Sequence, residues 1–323
     1  MPHDLFDLGK LNLLPLEERS HDLKLEDILF NTPPSFEHPH LDVLCDAILA
    51  ARRKGAAVIM MYGAHVIRRG CAKLMIRLMK EGLITHFATN GAGAIHDFEL
   101  AMIGQTCESV EKYITEGQFG LWRETGRIND AVNIGASEGL GFGESVGRYI
   151  NENNFPHAES SVLAAGYRLR IPVTVHVGIG NDIIHEHPNC DGAATGQASF
   201  TDFLIYAKSM EKLEGGVFLN VGSAVTGPEV YLKCLSMVRN TAKQEGRKIT
   251  DFTTAVFDKQ PVAGDNINEA PDKSNPQYFF RPWKTILART VSDGGKSYYI
   301  QGDHQETFGN LAIKLLNKKE KDD

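Results

Sequence analysis

Histidine, aspartate and lysine are the side chains of this 323-residue chain best suited to move protons, ligate metals or form covalent intermediates. Many of them crowd into short glycine-bearing segments. YGAH (62–65) holds His65, NGAGAIHD (90–97) holds His96 and Asp97, and QGDHQET (301–307) holds Asp303 and His304. The densest stretch, HVGIGNDIIHEHPNCD (176–191), adds His176, Asp182, His185, His187 and Asp191. Their side-chain types suit a proton carrier or a divalent metal. His185 and His187 share a face only if extended, so HEH is not the HExxH zinc pattern. The plain alternative is a polar loop whose histidines bond locally. Lys284 in FFRPWKTI (279–286) stands beside aromatics that could desolvate its amine and suit it to nucleophilic work. Asp303 could equally be a helix cap.

The elements around these residues repeat one pattern: a short apolar run, a glycine, then an amphipathic helix. AAVIMMYG (56–63), LITHFATNGAG (83–93), RIPVTVHVGIG (170–180), GVFLNVGS (216–223), TDFTTAVFD (250–258) and KSYYIQGD (296–303) read as strands. LDVLCDAILAARRKG (41–55), VIRRGCAKLMIRLMKEG (66–82), SFTDFLIYAKSMEKLEG (199–215), GPEVYLKCLSMVRNTAKQEG (227–246) and TFGNLAIKLLNKK (307–319) read as helices. Such alternation predicts an α/β fold, a doubly wound, mostly parallel sheet with helices on both faces. Residues 1–37, polar and proline-punctuated, read as an arm packing on the domain or on a neighbouring subunit, and 38–323 as a single α/β domain. The 108–150 region, with Arg123 and Arg127, receives no assignment.

In a parallel sheet, ligands bind beyond the C-terminal strand ends. The glycine-bearing segments all fall there, which predicts one shared site. Glycine turns could cradle phosphate. No GxGxxG occurs, however, and GLGFG (139–143) follows no convincing strand.

Composition sets the outer limits. A formal net charge of -7 argues against nucleic acid as a partner. No run approaches the ~18 apolar residues of a membrane helix, and MPHDLFDLGK is not a signal peptide. Cys45, Cys71, Cys107, Cys190 and Cys234 have no CxxC spacing and read as reduced thiols of a cytoplasmic protein.

Taken in order, the motifs resemble those of the deoxyhypusine synthase family. The resemblance runs through VIMMYGAHVIRRGCAKLMIRLMKEGLITHFATNGAGAIHDFELAMIG (58–104), IPVTVHVGIGNDII (171–184), GGVFLNVGSAV (215–225) and YYIQGDHQETFGNLAIKLL (298–316). It covers most of residues 40–318. The resemblance implies a Rossmann-like fold, NAD at the strand ends, and a homotetramer with sites at dimer interfaces. It also implies aminobutyl transfer from a polyamine such as spermidine to an amine acceptor.

By position, Gly93, Asp182, Gly222 and Asp303 match retained family residues, and Asp258 matches an aspartate before the cofactor loop. NAD would then meet Gly63, His65, Asn90, Gly91, Gly93, Gly222, Asp258, Asp303 and His304. Lys284 would be the nucleophile, with His96, Asp182 and His185 in support. The departures are specific. Ala64 and His65 replace a serine–asparagine pair, His96 replaces an acid, and Val225 and Thr226 replace a lysine–histidine pair. KQPVAGDNINEA (259–270) replaces a GSDSGA loop, and Lys284 is shifted by one place from the tryptophan. The expectation is therefore a related transferase acting on a small amine rather than true deoxyhypusine synthesis. A metal-dependent hydrolase built on the His/Asp cluster, or an inactive relative, stands as the alternative.

Overall fold

The computed structural model describes residues 3–262 and 267–322. Six strands form one sheet: β1 (Val58–Tyr62), β2 (His86–Asn90), β3 (Val173–His176), β4 (Val217–Val221), β5 (Thr253–Asp258) and β6 (Lys296–Gln301). Side by side they run β3-β2-β1-β4-β5-β6, and every neighbouring pair is parallel. This is the strand order of the Rossmann-like dinucleotide folds, with the direction of winding reversing between β1 and β4. VIMMY and VFLNV are buried at every position because helices cover both faces.

The helices that flank the sheet include α1 (Pro39–Arg53), α2 (Ala64–Arg68), α3 (Ala72–Lys80), α4 (Gly91–Ile103), α5 (Arg127–Ser137), α6 (Phe142–Glu152), α7 (Val162–Leu169), α8 (Gly192–Met210), α9 (Thr226–Gln244) and α10 (His304–Asp322), with further short helical segments between them. Strand alternation divides the apolar side chains between two cores. Val58, Met60 and Tyr62 join Ile48, Leu74, Phe98, Val146 and Leu311 on one face. Ile59 and Met61 join Phe218, Tyr206, Tyr231 and Ile286 on the other. The stretch between β2 and β3 is an insertion that includes α5, α6 and α7. GLGFG starts α6 against the edge strand, where a side chain on Gly143 would meet the Val173 carbonyl carbon at 2.9 Å. The outer edge of β3 is blocked to further pairing, because Val175 N–H donates to Asp202 (2.7 Å) and Val177 N–H to Ser199 (3.1 Å).

Several boundaries depart from the sequence expectations. The helix read over 66–82 is two, α2 and α3, broken at Gly70, whose φ of +73° places it against the Ile28 carbonyl. The strand read over 83–93 ends at Asn90, because the Asn90 side chain accepts from Gly93 N–H (2.9 Å) and starts α4 at Gly91. NGAGAIHD is thus mostly helix. α8 starts at Gly192 rather than 199, capped by Asp191, which accepts from Ala193 and Ala194 N–H. The N-terminal arm packs on its own chain. Leu23–Lys24 pairs antiparallel with Gln105–Thr106, Leu16 and Leu25 are buried, and Arg19 pairs with Glu99.

Candidate functional site

All six strands end at one edge, so Gly63, Asn90, His176, Gly222, Asp258 and Asp303 lie along it. At its centre β1 and β4 part, and the chain leaves them through two glycines. A side chain on Gly63 would meet the Gly222 carbonyl carbon at 2.8 Å and its oxygen closer still. Gly222 has φ +65°, and a side chain there would press on the His304 ring, 3.0 Å from Cε1. Bare backbone is therefore required at this switch point.

A charged cluster flanks it on the β6 side. Asp303 accepts from Arg69 Nε (2.9 Å) and from Gln305 N–H (3.0 Å), and pairs with Lys259 Nζ (2.7 Å). Burial opposes its ionisation, yet Lys259, the Gln305 amide and Arg69 outweigh burial and hold the carboxyl well below the usual range. Lys259 Nζ also lies 3.3 Å from His65 Nε2, and the His65 and His304 rings stand edge to face at 5.8 Å. Burial, then the Lys259 charge, lowers His65; burial, then His65, lowers His304 to about 4. Both imidazoles are neutral at pH 7. His304 Nδ1 and, on β4, Asn220 Oδ1 are buried and make no hydrogen bond among the described residues. Asp258 accepts from Gln260 N–H, and burial raises its carboxyl.

The second cluster lies toward β3. The Asp182 carboxylate sits on the N-terminus of α4, bonded to Ala92 N–H, and a side chain on Gly91 would meet its Cγ at 2.5 Å. Burial pushes this carboxyl up to about 6 despite that bond. Gly93 must also be bare, since a side chain would reach the Thr89 Cβ at 3.2 Å. His185 accepts at Nδ1 from Gly180 and Asp182 N–H (both 3.2 Å), which fixes its proton on Nε2. His96 bonds through Nδ1 to Thr106 Oγ1 (2.8 Å).

The structure does not gather every candidate. His187 is fully buried and bonds the Gly120 carbonyl (2.8 Å), a structural role. Asp97 caps α7, accepting from Ser161 Oγ and from Val162 and Leu163 N–H. Lys284 is buried with its ammonium 3.9 Å from the Tyr278 ring centroid. Its helical turn runs away from the strand exits: Ile286 and Leu287 carbonyls accept from Thr254 and Ser297, near the starts of β5 and β6. Asp182 and Asp303, both expected at the site, already have partners, because helix N–H groups and basic side chains satisfy them first. Arg69 and Lys259 were missed by sequence reasoning. The signal for Lys259 was its place directly after a strand-end aspartate. Of the loop 259–270, residues 263–266 lie outside the described residues.

Among the described residues no group of three His, Cys, Asp or Glu side chains is placed to hold a metal ion. The His/Asp metal cluster that stood as the alternative does not form among the described residues, where His185, His96 and Asp303 each bond elsewhere. No described helix is long and apolar enough to cross a membrane.

No family model matches the chain, and no curated protein matches it. Solved structures do. AgrE without ligand is similar at a TM-score of 0.52 and 17% identity over 86% of this chain. A variant of AgrE in complex with L-arginine gives 0.51 and 18% over 89%. The chain spans about a third of AgrE's length, 32% and 34% in these two. A protein provisionally described as LOR/SDH from Methanococcus maripaludis S2 gives 0.51 and 14%, over 90% of this chain and 74% of its own. One provisionally described as a deoxyhypusine synthase from Entamoeba histolytica gives 0.46 and 8%, over 86% and 87%, too loose to argue from. These likenesses establish a Rossmann-like α/β fold at a distance. They do not extend to a sequence family.

Proposed function

We propose that the chain is an NAD-binding enzyme, with the dinucleotide lying over the strand exits at the β1–β4 switch point. The observation that carries this is the contact between Gly63 and Gly222, where any side chain would close the crevice that this strand order reserves for a dinucleotide. The surroundings fit an anionic group. Lys259 and Arg69 stand beside the crevice, and the buried His304 Nδ1 has unused hydrogen-bonding capacity. Gly63, His65, Gly222, Asp258 and His304 would hold the dinucleotide, with Asn90, Gly91 and Gly93 along the neighbouring strand exit. NAD would supply a hydride acceptor.

The finer part of the proposal is transfer of an aminoalkyl group from a polyamine to an amine acceptor, in a homotetramer. Lys284 would be the imine-forming nucleophile; it is the sole lysine among the buried described residues. Calorimetric titration of the full chain with NAD tests the first part: saturable binding at one site per chain is expected, and its absence overturns the proposal. Incubation with NAD and spermidine, then borohydride, tests the second. A mass adduct on Lys284 is expected, and NAD binding without any adduct sinks the transferase while leaving the cofactor site standing.

A further inference from the structure

We infer that His96 is held as a base, with its Nε2 lone pair open, by a hydrogen-bonded relay from Glu99 through Thr106 that the N-terminal arm locks in place. The argument is one of donors and acceptors. Arg19, from the arm, meets Glu99 with both terminal nitrogens, NH1 to Oε1 at 2.9 Å and NH2 to Oε2 at 2.7 Å. Both side chains are 1% exposed. Thr125 Oγ1 donates to Glu99 Oε1 at 2.7 Å and Thr106 Oγ1 to Oε2 at 2.7 Å. Burial opposes the charge on Glu99, but the Arg19 guanidinium and these donors outweigh it and keep the carboxyl below its ordinary value.

An ionised carboxylate only accepts hydrogen bonds, so the single proton of the Thr106 hydroxyl is committed to Glu99. The Thr106 oxygen can then only accept from His96 Nδ1, 2.8 Å away. That bond requires the His96 proton on Nδ1. In a neutral ring, Nε2 is then bare. It makes no hydrogen bond among the described residues, and the ring is only partly exposed.

Neutrality is favoured twice over. Burial lowers His96 to about 4; Glu99 opposes this, while Arg68, Arg19 and His65 reinforce it. The thiol of Cys107, 3.9 Å from Nδ1, is itself raised by burial and carries no charge at pH 7. Arg68 and His65 sit on α2, the helix leaving the switch point.

The consequence rests on reading the strand exits as a site. A ligand hydroxyl or ammonium placed there can give its proton to Nε2, leaving its electron pair on the ligand. The imidazolium so formed keeps its Nδ1–H on Thr106, and Glu99 offsets part of the cost that burial places on its charge. Thr106, Glu99 and Arg19 are positioning residues, because they act through His96.

Long-range proton–nitrogen NMR of the full chain labelled with ¹⁵N-histidine tests this without any ligand, with His96→Gln giving the assignment. In the wild type, Nε2 of His96 is expected at the unprotonated position and Nδ1 at the protonated one, unchanged from pH 8 to pH 5. Thr106→Val should turn the bare-Nε2 form from the dominant population into the minor one, and Thr106→Ser should restore it. A protonated Nε2 in the wild-type spectrum overturns the inference by itself, even if Thr106→Val fails to fold. So does a Thr106→Val spectrum like that of the wild type. Loss of NAD binding would leave this result untouched.

Discussion

Replacing Gly63 by alanine tests whether the switch point is as tight as its geometry says. Gly63 has φ −88° and ψ 161°, ordinary extended backbone that alanine adopts freely, so the substitution carries no conformational penalty. Everything then depends on space. The added methyl would lie 2.8 Å from the Gly222 carbonyl carbon, with the oxygen nearer, and both are backbone rather than the end of a flexible side chain. Ordinary contact begins at 3.4 Å, so the β1 and β4 exits must part by about 1 Å, an overpacking penalty of ~1–3 kcal/mol. Part of the separation would be taken up by Gly222 N–H losing its bond to the Phe257 carbonyl (2.9 Å). Thermal unfolding should show Tm lower by roughly 2–5 °C. Gly192→Ala is the matched control. Nothing lies within 4 Å of its added methyl and its φ is not positive, so it should be neutral or stabilising by ~0.4–1 kcal/mol. Urea titration of both variants against wild type gives the comparison. If Gly63→Ala is as stable as Gly192→Ala, the two exits are not in contact and the proposed dinucleotide crevice loses its basis.

Two further tests probe the buried charges. Arg19→Met leaves Glu99 buried without its cation, and urea unfolding should show a loss of ~3–5 kcal/mol; a loss under ~1 kcal/mol would show that the arm does not cover this carboxylate. Burial raises the Asp202 carboxyl to about 7 against hydrogen bonds from Val175 and Gly143 N–H. A carboxyl whose folded value exceeds its unfolded one favours the fold most when protonated, so this contribution is full below about 4 and is lost as pH rises through about 7. Relative to Asp202→Asn, wild-type stability should therefore fall by on the order of 2–4 kcal/mol between pH 4 and 8. A flat difference across that range would place Asp202 in water.

Much of the fold was legible in order. VIMMY is a continuous apolar run of strand length and VFLNV nearly one, as suits a sheet buried on both faces. The errors lie where one side chain decides a boundary. Asn90 starts α4 by bonding Gly93, and Gly70 breaks a helix because the arm passes against it. Neither contact has a periodic signature. The candidate site was legible as an edge but not as a set of partners. His65, Asp303 and His304 do meet there, while His187 and Asp97 turned out to hold the backbone. Histidine and aspartate serve proton chemistry and capping equally well, so residue type could not separate the two.

The chain read by itself determined the alternation of strands and helices and the edge at which polar residues collect, since both follow from local hydrophobic pattern and the one-way run of parallel strands. Only the tertiary structure decided which charges remain available. Asp303 is neutralised by Arg69, 234 positions away, and Glu99 by Arg19, 80 positions away, while Asp182 is buried against the start of a helix whose first residues the sequence had read as strand. Electrostatic pairing depends on distance in space, and in this fold that distance is set by the sheet rather than by spacing along the chain.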